Sequence, residues 1–317
     1  MTPHGPVYAG IDLGTLTFRL LIARISADGA LRELASERRI VRLGEGLQPS
    51  GRLQAAPMAR ALDAIQEWMP VIRASGATEI IAVATSAVRD AVNREVFLSE
   101  IKRRSGLEVE VLSGAEEARR ALLGIASGLP GGPQAVPRFL AVDVGGGSTE
   151  FIKAQGDGSP KMISIDEGVV RLTEGCLRSD PVAPEEVASA RRRIQRHLDG
   201  VEAQLGEVAG YELIGTAGSI TTLAAMDQRL ATYASPHIHN YRLSRDRVRH
   251  ILGELISRTS AERRQLTGLE PGREDVIIAG ALILDEVMER FGFTDCVVSD
   301  YGLREGALID RWQQSHR

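Results

Sequence analysis

Twice in these 317 residues an apolar run ends in aspartate, passes through a glycine turn and leaves on a second apolar run. The first copy is VYAGIDLGTLTFRLLIARI (7–25) and the second RFLAVDVGGGSTEFIKA (138–154). Each reads as two short strands joined by a tight turn, with Asp12 and Asp143 at the ends of the incoming strands. A third strand follows both, near 31–42 and near 161–166. A strand–turn–strand opening that occurs twice implies two similar lobes facing each other across a cleft, and the chain is longer than one core usually organises.

Between the copies, helical periodicity over 55–74, the strand EIIAVAT (79–85), a helix over 92–104, the strand LEVEVL (107–112) and a helix over 115–127 give the alternation of an α/β protein. The stretch SGLPGGPQAVP (127–137) concentrates glycine and proline, so neither a helix nor a central strand continues through it, and it is the expected hinge. The expected lobes are 1–125 with a returning 301–317, and 126–300. The second contains an amphipathic helix over 184–204 and the strands YELIG (211–215) and DCVVSD (295–300); a last helix runs over 303–313.

Composition excludes several classes. With 43% hydrophobic and 25% charged residues the chain is an ordinary globular one. No apolar run approaches the roughly 18 residues of a membrane span, and the N-terminus has no basic region leading into a cleavable apolar stretch. A soluble, cytoplasmic protein without membrane contact is expected. A net charge of −4 argues against a general nucleic-acid surface, so any anion site is local. Cys176 and Cys296 stand far apart and suggest neither a disulfide framework nor a zinc site. His237 and His239 lack an evident third ligand and read as loop residues, and the run Arg191–Arg193 reads as the solvated face of its helix.

The chemistry concentrates in AVDVGGGSTE (141–150). Residues without side chains let backbone N–H groups close around phosphate oxygens while the turn bends sharply. Gly145, Gly146, Gly147 and Ser148 form the expected phosphate loop, and Asp143 and Glu150 are placed to hold magnesium or its water shell. The first turn follows the same logic: Gly14 makes the bend, Thr15 and Thr17 supply hydroxyls, and Arg19 on the outgoing strand can meet an anion. A third element, LIGTAGSITTLAA (213–225), enters a helix through Gly215 and Ser219 and can bind phosphate at the helix N-terminus or simply cap it.

IDLGTLTFRLLIA, VATSAVRDA (83–91), LSGAEEARRALLGI (112–125), LAVDVGGGSTE, GTAGSITTLAA, GLEPGREDVIIAGALIL (268–284) and SDYGLREGAL (299–308) together resemble the exopolyphosphatase/guanosine pentaphosphate phosphohydrolase (Ppx/GppA) family in its short two-domain form. The motifs stand in the family's order and span nearly the whole chain. The resemblance implies the two-lobed actin-like ATPase, sugar kinase and heat-shock ATPase fold, with ribonuclease H-like domains and an active site in the cleft. It implies hydrolysis of a terminal phosphoanhydride of polyphosphate or guanosine pentaphosphate, with magnesium, in a homodimer.

Carried over by motif, Glu117 is the general base, Asp143 and Glu150 the metal-associated acids, Arg89 a cleft-facing arginine and Arg273 one near the outer end of the binding channel. Glu116 is the rival base, and an acidic pair in a first helical turn also offsets the helix dipole. Where the family has a polar residue in the first turn this chain has Leu16, which donates no hydrogen bond; either it faces the core or substrate binds differently. A superfamily kinase, or a sensor that binds polyphosphate or an alarmone without turnover, is the alternative.

Overall fold

The computed structural model describes residues 5–130, 138–155 and 159–316. It divides into two compact units, Met1–Gly128 with Tyr301–Arg317, and Leu129–Asp300. Most of the glycine- and proline-rich segment expected as a hinge, residues 131–137, lies outside the described residues, and the helix before it continues to Gly128.

The first unit opens with β1 (Val7–Leu13), β2 (Thr17–Ile25) and β3 (Leu31–Ile40), an antiparallel meander. Then come α1 (Leu47–Ser50), α2 (Ala55–Ala74), β4 (Glu79–Ala84), α3 (Ser86–Asp90), α4 (Arg94–Ser105), β5 (Val109–Val111) and α5 (Gly114–Gly128). The sheet order is β3-β2-β1-β4-β5, with β4 parallel to β1 and β5 parallel to β4. β1 and β2 are apolar and buried at nearly every position because both faces of the sheet are covered. On one face Ile11, Leu13, Leu20 and Ile22 pack with Trp68 of α2 and Phe97 of α4. β3 ends at Ile40, two residues short of the expected 42: the Val41 and Arg42 amides turn to the Leu16 carbonyl, and Arg42 takes a positive φ of 56°.

The second unit repeats the opening with β6 (Arg138–Val144), β7 (Thr149–Gln155) and β8 (Lys161–Ile165). It continues through α6 (Val169–Cys176), α7 (Pro184–Leu205), β9 (Glu212–Thr216), α8 (Gly218–Asp227), α9 (Ser235–Ile238), β10 (Tyr241–Ser244), α10 (Arg245–Ile256), α11 (Ser260–Arg263), α12 (Ile277–Phe291) and β11 (Asp295–Val298). Its sheet runs β10-β11-β9-β6-β7-β8. Without the antiparallel edge strand β10, this is the order of the first sheet again. The duplication is therefore one of topology, and each sheet has the ribonuclease H-like arrangement. No described helix is long and apolar enough to cross a membrane.

The chain returns to the first unit as α13 (Leu303–Ser315), which covers the other face of its sheet: Leu308 packs with Tyr8, Leu21 and Ala23. α13 and α5 touch backbone to backbone. A Cβ on Gly306 would collide with the Arg120 carbonyl, and one on Gly124 with the Gly302 carbonyl. Around this contact Arg120, almost fully buried, makes a bidentate pair with Glu110 at 2.8 Å and reaches Asp310 at 3.2 Å.

A second ion-pair network holds α12 to α7 and α10. The fully buried Asp285 accepts from Arg245 and Arg249 at 3.1 and 3.0 Å and pairs with Arg191 at 2.9 Å; Arg191 also pairs with Glu286. The reading of Arg191–Arg193 as a solvated face is thereby corrected, since Arg191 and Arg193 both pair with buried acids. Burial pushes the Asp285 carboxyl up, but Arg191, Arg245 and Arg249 outweigh it and hold the group below its ordinary value.

Gly306→Ala is expected to lower unfolding free energy by about 1–3 kcal/mol through overpacking. Gly253→Ala, on α10 where a Cβ meets open space, should raise it by about 0.5–1 kcal/mol; paired urea titrations measure both. Because its folded pKa is depressed, Asp285 contributes stability above the unfolded carboxylate value of about 3.9 and loses it as pH falls through the folded value. Asp285→Asn should therefore cost roughly 3 kcal/mol or more at pH 7, and denaturant titrations from pH 7 to pH 3 should show the gap to the parent closing in acid.

Candidate functional site

The two hairpin turns are built alike. In the first, Leu13 and Phe18 close the hairpin and Asp12 stands directly opposite Arg19; in the second, Val144 and Thr149 close it and Asp143 stands opposite Glu150. Gly14 and Gly145 are required by close approach: a Cβ would lie 2.6 Å from the Thr17 carbonyl oxygen in one and 2.9 Å from that of Ser148 in the other. The copies differ at one chemically decisive place. Directly opposed side chains on antiparallel neighbours share a sheet face, with Cβ atoms about 4.5–5.5 Å apart. The first turn thus pairs an acid with a base, whereas the second pairs two carboxylates.

In the first unit, Thr15 and Thr17 are buried, and the Thr15 hydroxyl shares a 2.8 Å hydrogen bond with Ser86 at the start of α3. Leu16 is 3% exposed. Its carbonyl takes the Val41 and Arg42 amides, both at 2.9 Å. The β2–β3 register sets Arg38 beside Arg19 on the same sheet face, a neighbour that sequence reasoning missed because it depends on strand pairing.

Arg89 and Glu117 come together. Arg89 Nη1 donates to Glu117 Oε2 at 3.1 Å and to the Leu112 carbonyl at 3.1 Å, so the arginine joins the end of α3 to the first turn of α5. Glu117 is 8% exposed. Its neighbour Glu116 is engaged otherwise, accepting from Arg119 at 3.1–3.2 Å on the side facing Asp310 of α13. Helix geometry separates the two acids: adjacent residues point about 100° apart.

The second turn is backed by a segment that sequence reasoning did not single out, Glu167–Val170. The Val169 and Val170 amides, at the start of α6, donate to the Gly145 and Gly146 carbonyls at 3.0 and 2.8 Å. The Thr149 hydroxyl donates to the Glu167 carbonyl at 2.7 Å. Gly168 lies against the turn itself: a Cβ there would fall 2.6 Å from the carbonyl of Gly146 and the nitrogen of Gly147. The Gly145 and Gly146 carbonyls are therefore drawn toward α6, while the Gly145 amide donates to the Ser148 carbonyl at 3.0 Å and so closes the turn instead of facing an anion as the sequence suggests. Glu150, 1% exposed, accepts from the Ser164 hydroxyl at 2.8 Å, and Thr216 at the end of β9 flanks Asp143 on its other side. Burial raises the pKa of the Glu167 carboxyl, against the opposing pull of Arg193, His197 and Arg171.

The third element runs from β9 into α8 and is closely packed. A Cβ on Gly215 would lie 2.7 Å from Cys296 Sγ, which makes this glycine a packing position between β9 and β11. The Ser219 hydroxyl is buried against Gly280 of α12. Arg273 is 3% exposed, pairs with Glu270, and lays its guanidinium directly on the Cα of Gly218, the first residue of α8. Ala217, just before it, has a positive φ of 74°.

Among the described residues one acidic triad is tight enough for an ion, Asp285, Glu286 and Glu289, but Arg191, Arg245 and Arg249 already neutralise it. Asp143 and Glu150 are a better match for a divalent cation. They offer hard oxygen donors side by side across the β6–β7 ladder.

Residues 21–315 match the Ppx/GppA phosphatase family. The chain is 36% identical to exopolyphosphatase 2 of Mycobacterium tuberculosis over 313 residues, 95% of this chain and 97% of that protein. With the guanosine-5'-triphosphate,3'-diphosphate pyrophosphatase of Aeromonas hydrophila it shares 28% identity over 99% of its own length and 61% of the other's. Among solved structures it is similar to an exopolyphosphatase-like protein, at 32% identity and a TM-score of 0.92 over 98% of this chain and 99% of that one.

Gly168→Ala should displace the turn without unfolding its unit, because the new methyl group meets backbone and not a flexible side chain. In 1H–15N spectra the amide resonances of Gly145–Thr149 are expected to shift while those of β1 and β2 stay in place. Unmoved turn resonances would contradict the packing described.

Proposed function

The chain belongs to the Ppx/GppA phosphatase family, and from that premise we propose that it hydrolyses the terminal phosphoanhydride bond of inorganic polyphosphate or guanosine pentaphosphate, with Glu117 as general base. The observation that carries the assignment is the convergence of Arg89 on the buried carboxylate of Glu117, while Glu116 is held by Arg119. A base must keep one carboxylate oxygen oriented toward a water in line with the scissile bond, and an arginine on the other oxygen fixes that rotamer.

In the proposed reaction the water oxygen attacks the terminal phosphorus and Glu117 takes the water's proton. The bond from phosphorus to the bridging oxygen breaks, and the shortened chain leaves with the bridging electrons. The amides of Gly146, Gly147 and Ser148 hold the terminal phosphate oxygens, and Arg19, Arg89 and Arg273 are the proposed cationic contacts. Thr15, Thr17, Gly215 and Ser219 are further proposed substrate contacts. Asp143 and Glu150 would hold magnesium, which supplies positive charge to the phosphate oxygens.

Polyphosphate is the preferred reading of the two substrates, since the exopolyphosphatase relative matches along nearly its whole length and the pyrophosphatase relative over 61% of its own. A homodimer is part of the proposal, and sedimentation equilibrium tests it.

Glu117→Gln is expected to keep the fold and substrate affinity and to lower kcat by about 10² to 10⁴, the usual worth of a general base. Asp143→Asn should instead lose activity that excess magnesium partly restores, and Glu116→Gln should turn over normally. Phosphate release from long-chain polyphosphate, guanosine pentaphosphate and ATP, measured in parallel with magnesium, decides among the readings. A dead Glu116→Gln beside an active Glu117→Gln would move the base by one residue, and no release from any substrate would end the hydrolase proposal.

A further inference from the structure

We propose that the Glu167–Arg193 ion pair is a positioning device for the glycine turn, holding the segment 167–170 that directs the Gly145 and Gly146 carbonyls toward α6 and leaves the amides of Gly146, Gly147 and Ser148 for phosphate. The inference rests on reading that turn as the phosphate cradle.

A run of three glycines has no side chains with which to pack and loses more conformational freedom on ordering than any other residue type, so its order must be supplied by its surroundings. Here one short segment supplies four contacts. The Val169 and Val170 amides donate to the Gly145 and Gly146 carbonyls, the Glu167 carbonyl accepts from the Thr149 hydroxyl, and the Cα of Gly168 fills the space against the Gly146–Gly147 peptide. If the segment moves, the turn loses its carbonyl partners and its packing together.

The segment is itself anchored by a charge. Glu167 is 1% exposed, and its Oε2 receives Arg193 Nε of α7, with His197 Nε2 one turn further along that helix at 3.4 Å. Its other oxygen, Oε1, makes no hydrogen bond among the described residues. The side-chain hold on the segment therefore comes from α7. Arg193 reaches it by passing over Gly175 of α6, where a Cβ would lie 2.5 Å from its Nη1. The guanidinium thus touches both ends of the unit formed by the segment and α6. Arg171 of α6 adds a third positive charge facing Glu167. Removing Arg193 would leave a buried carboxylate without its main counter-charge, and such a group is relieved by moving toward water. The segment would move with it.

Arg193→Ala, Arg193→Lys and Glu167→Gln in the full chain test this, with Asp285→Asn as a control that weakens the other α7 network. Hydrogen exchange of the peptide spanning 144–150 is the readout independent of catalysis. Arg193→Ala should speed it by about tenfold or more, Arg193→Lys by less, and Asp285→Asn should leave it near the parent relative to the rest of the unit. With sodium polyphosphate, Arg193→Ala should raise KM about tenfold while kcat changes by less than about threefold, the pattern of lost binding without a lost catalytic group. Glu167→Gln is expected to act in the same direction and serves if Arg193→Ala does not fold. Unchanged exchange over 144–150 in both variants, or a loosening of 144–150 in Asp285→Asn that equals theirs relative to the rest of the unit, would overturn the proposal. If the parent protein released no phosphate from polyphosphate yet the exchange pattern held, the substrate reading would fall and the positioning role would stand, with inorganic phosphate titrated calorimetrically in place of KM.

Discussion

The second glycine turn depends on a contact between backbones. Gly168 touches the Gly146–Gly147 peptide, and the two amides after it bond to the carbonyls of Gly145 and Gly146. Helix N-termini carry N–H groups without partners inside the helix. At α6 two of these satisfy the turn, so the helix end that could have bound an anion itself orders a neighbouring loop whose amides can do so. The first turn solves the same problem with side chains and a carbonyl: Thr15 shares a hydrogen bond with Ser86, and the Leu16 carbonyl takes two amides from the end of β3.

Charge distinguishes the two copies of the hairpin. The register sets Asp12 across from Arg19 in one copy and Asp143 across from Glu150 in the other. A duplicated scaffold thus carries different charge at the same register position in its two copies. Elsewhere the fold buries ions in multiples. Asp285 meets three arginines and Arg120 meets Glu110 and Asp310, arrangements in which desolvation is offset by several charge-assisted hydrogen bonds at once.

Much of this was legible along the chain. Periodicity located α2 at 55–74 and β6 at 138–144, because those segments are amphipathic or apolar over their whole length. The meander openings, the aspartates at the strand ends and the bends at Gly14 and Gly145 follow from local chemistry. α6 was not located: its eight residues follow a strand without a capping side chain, and nothing in GVVRLTEGC marks a helix start. Arg191 and Arg193 read as solvated because an arginine run carries no sign of the buried acids brought to it from 285–286 and 167.

Sequence by itself determined the duplication, the α/β alternation, the position of each turn and the acids that flank it, since all of these are written in spacing and residue type over a few positions. Tertiary structure decided the partnerships. It set Glu150 across from Asp143, Arg38 beside Arg19, Arg89 on Glu117 with Glu116 turned away, Gly215 against Cys296, Ser219 against Gly280, and Gly168 against the glycine turn. The physical reason is that strand register and helix rotation are fixed by burial of whole apolar faces. Polar side chains are then carried to partners that their own neighbours in the chain do not specify.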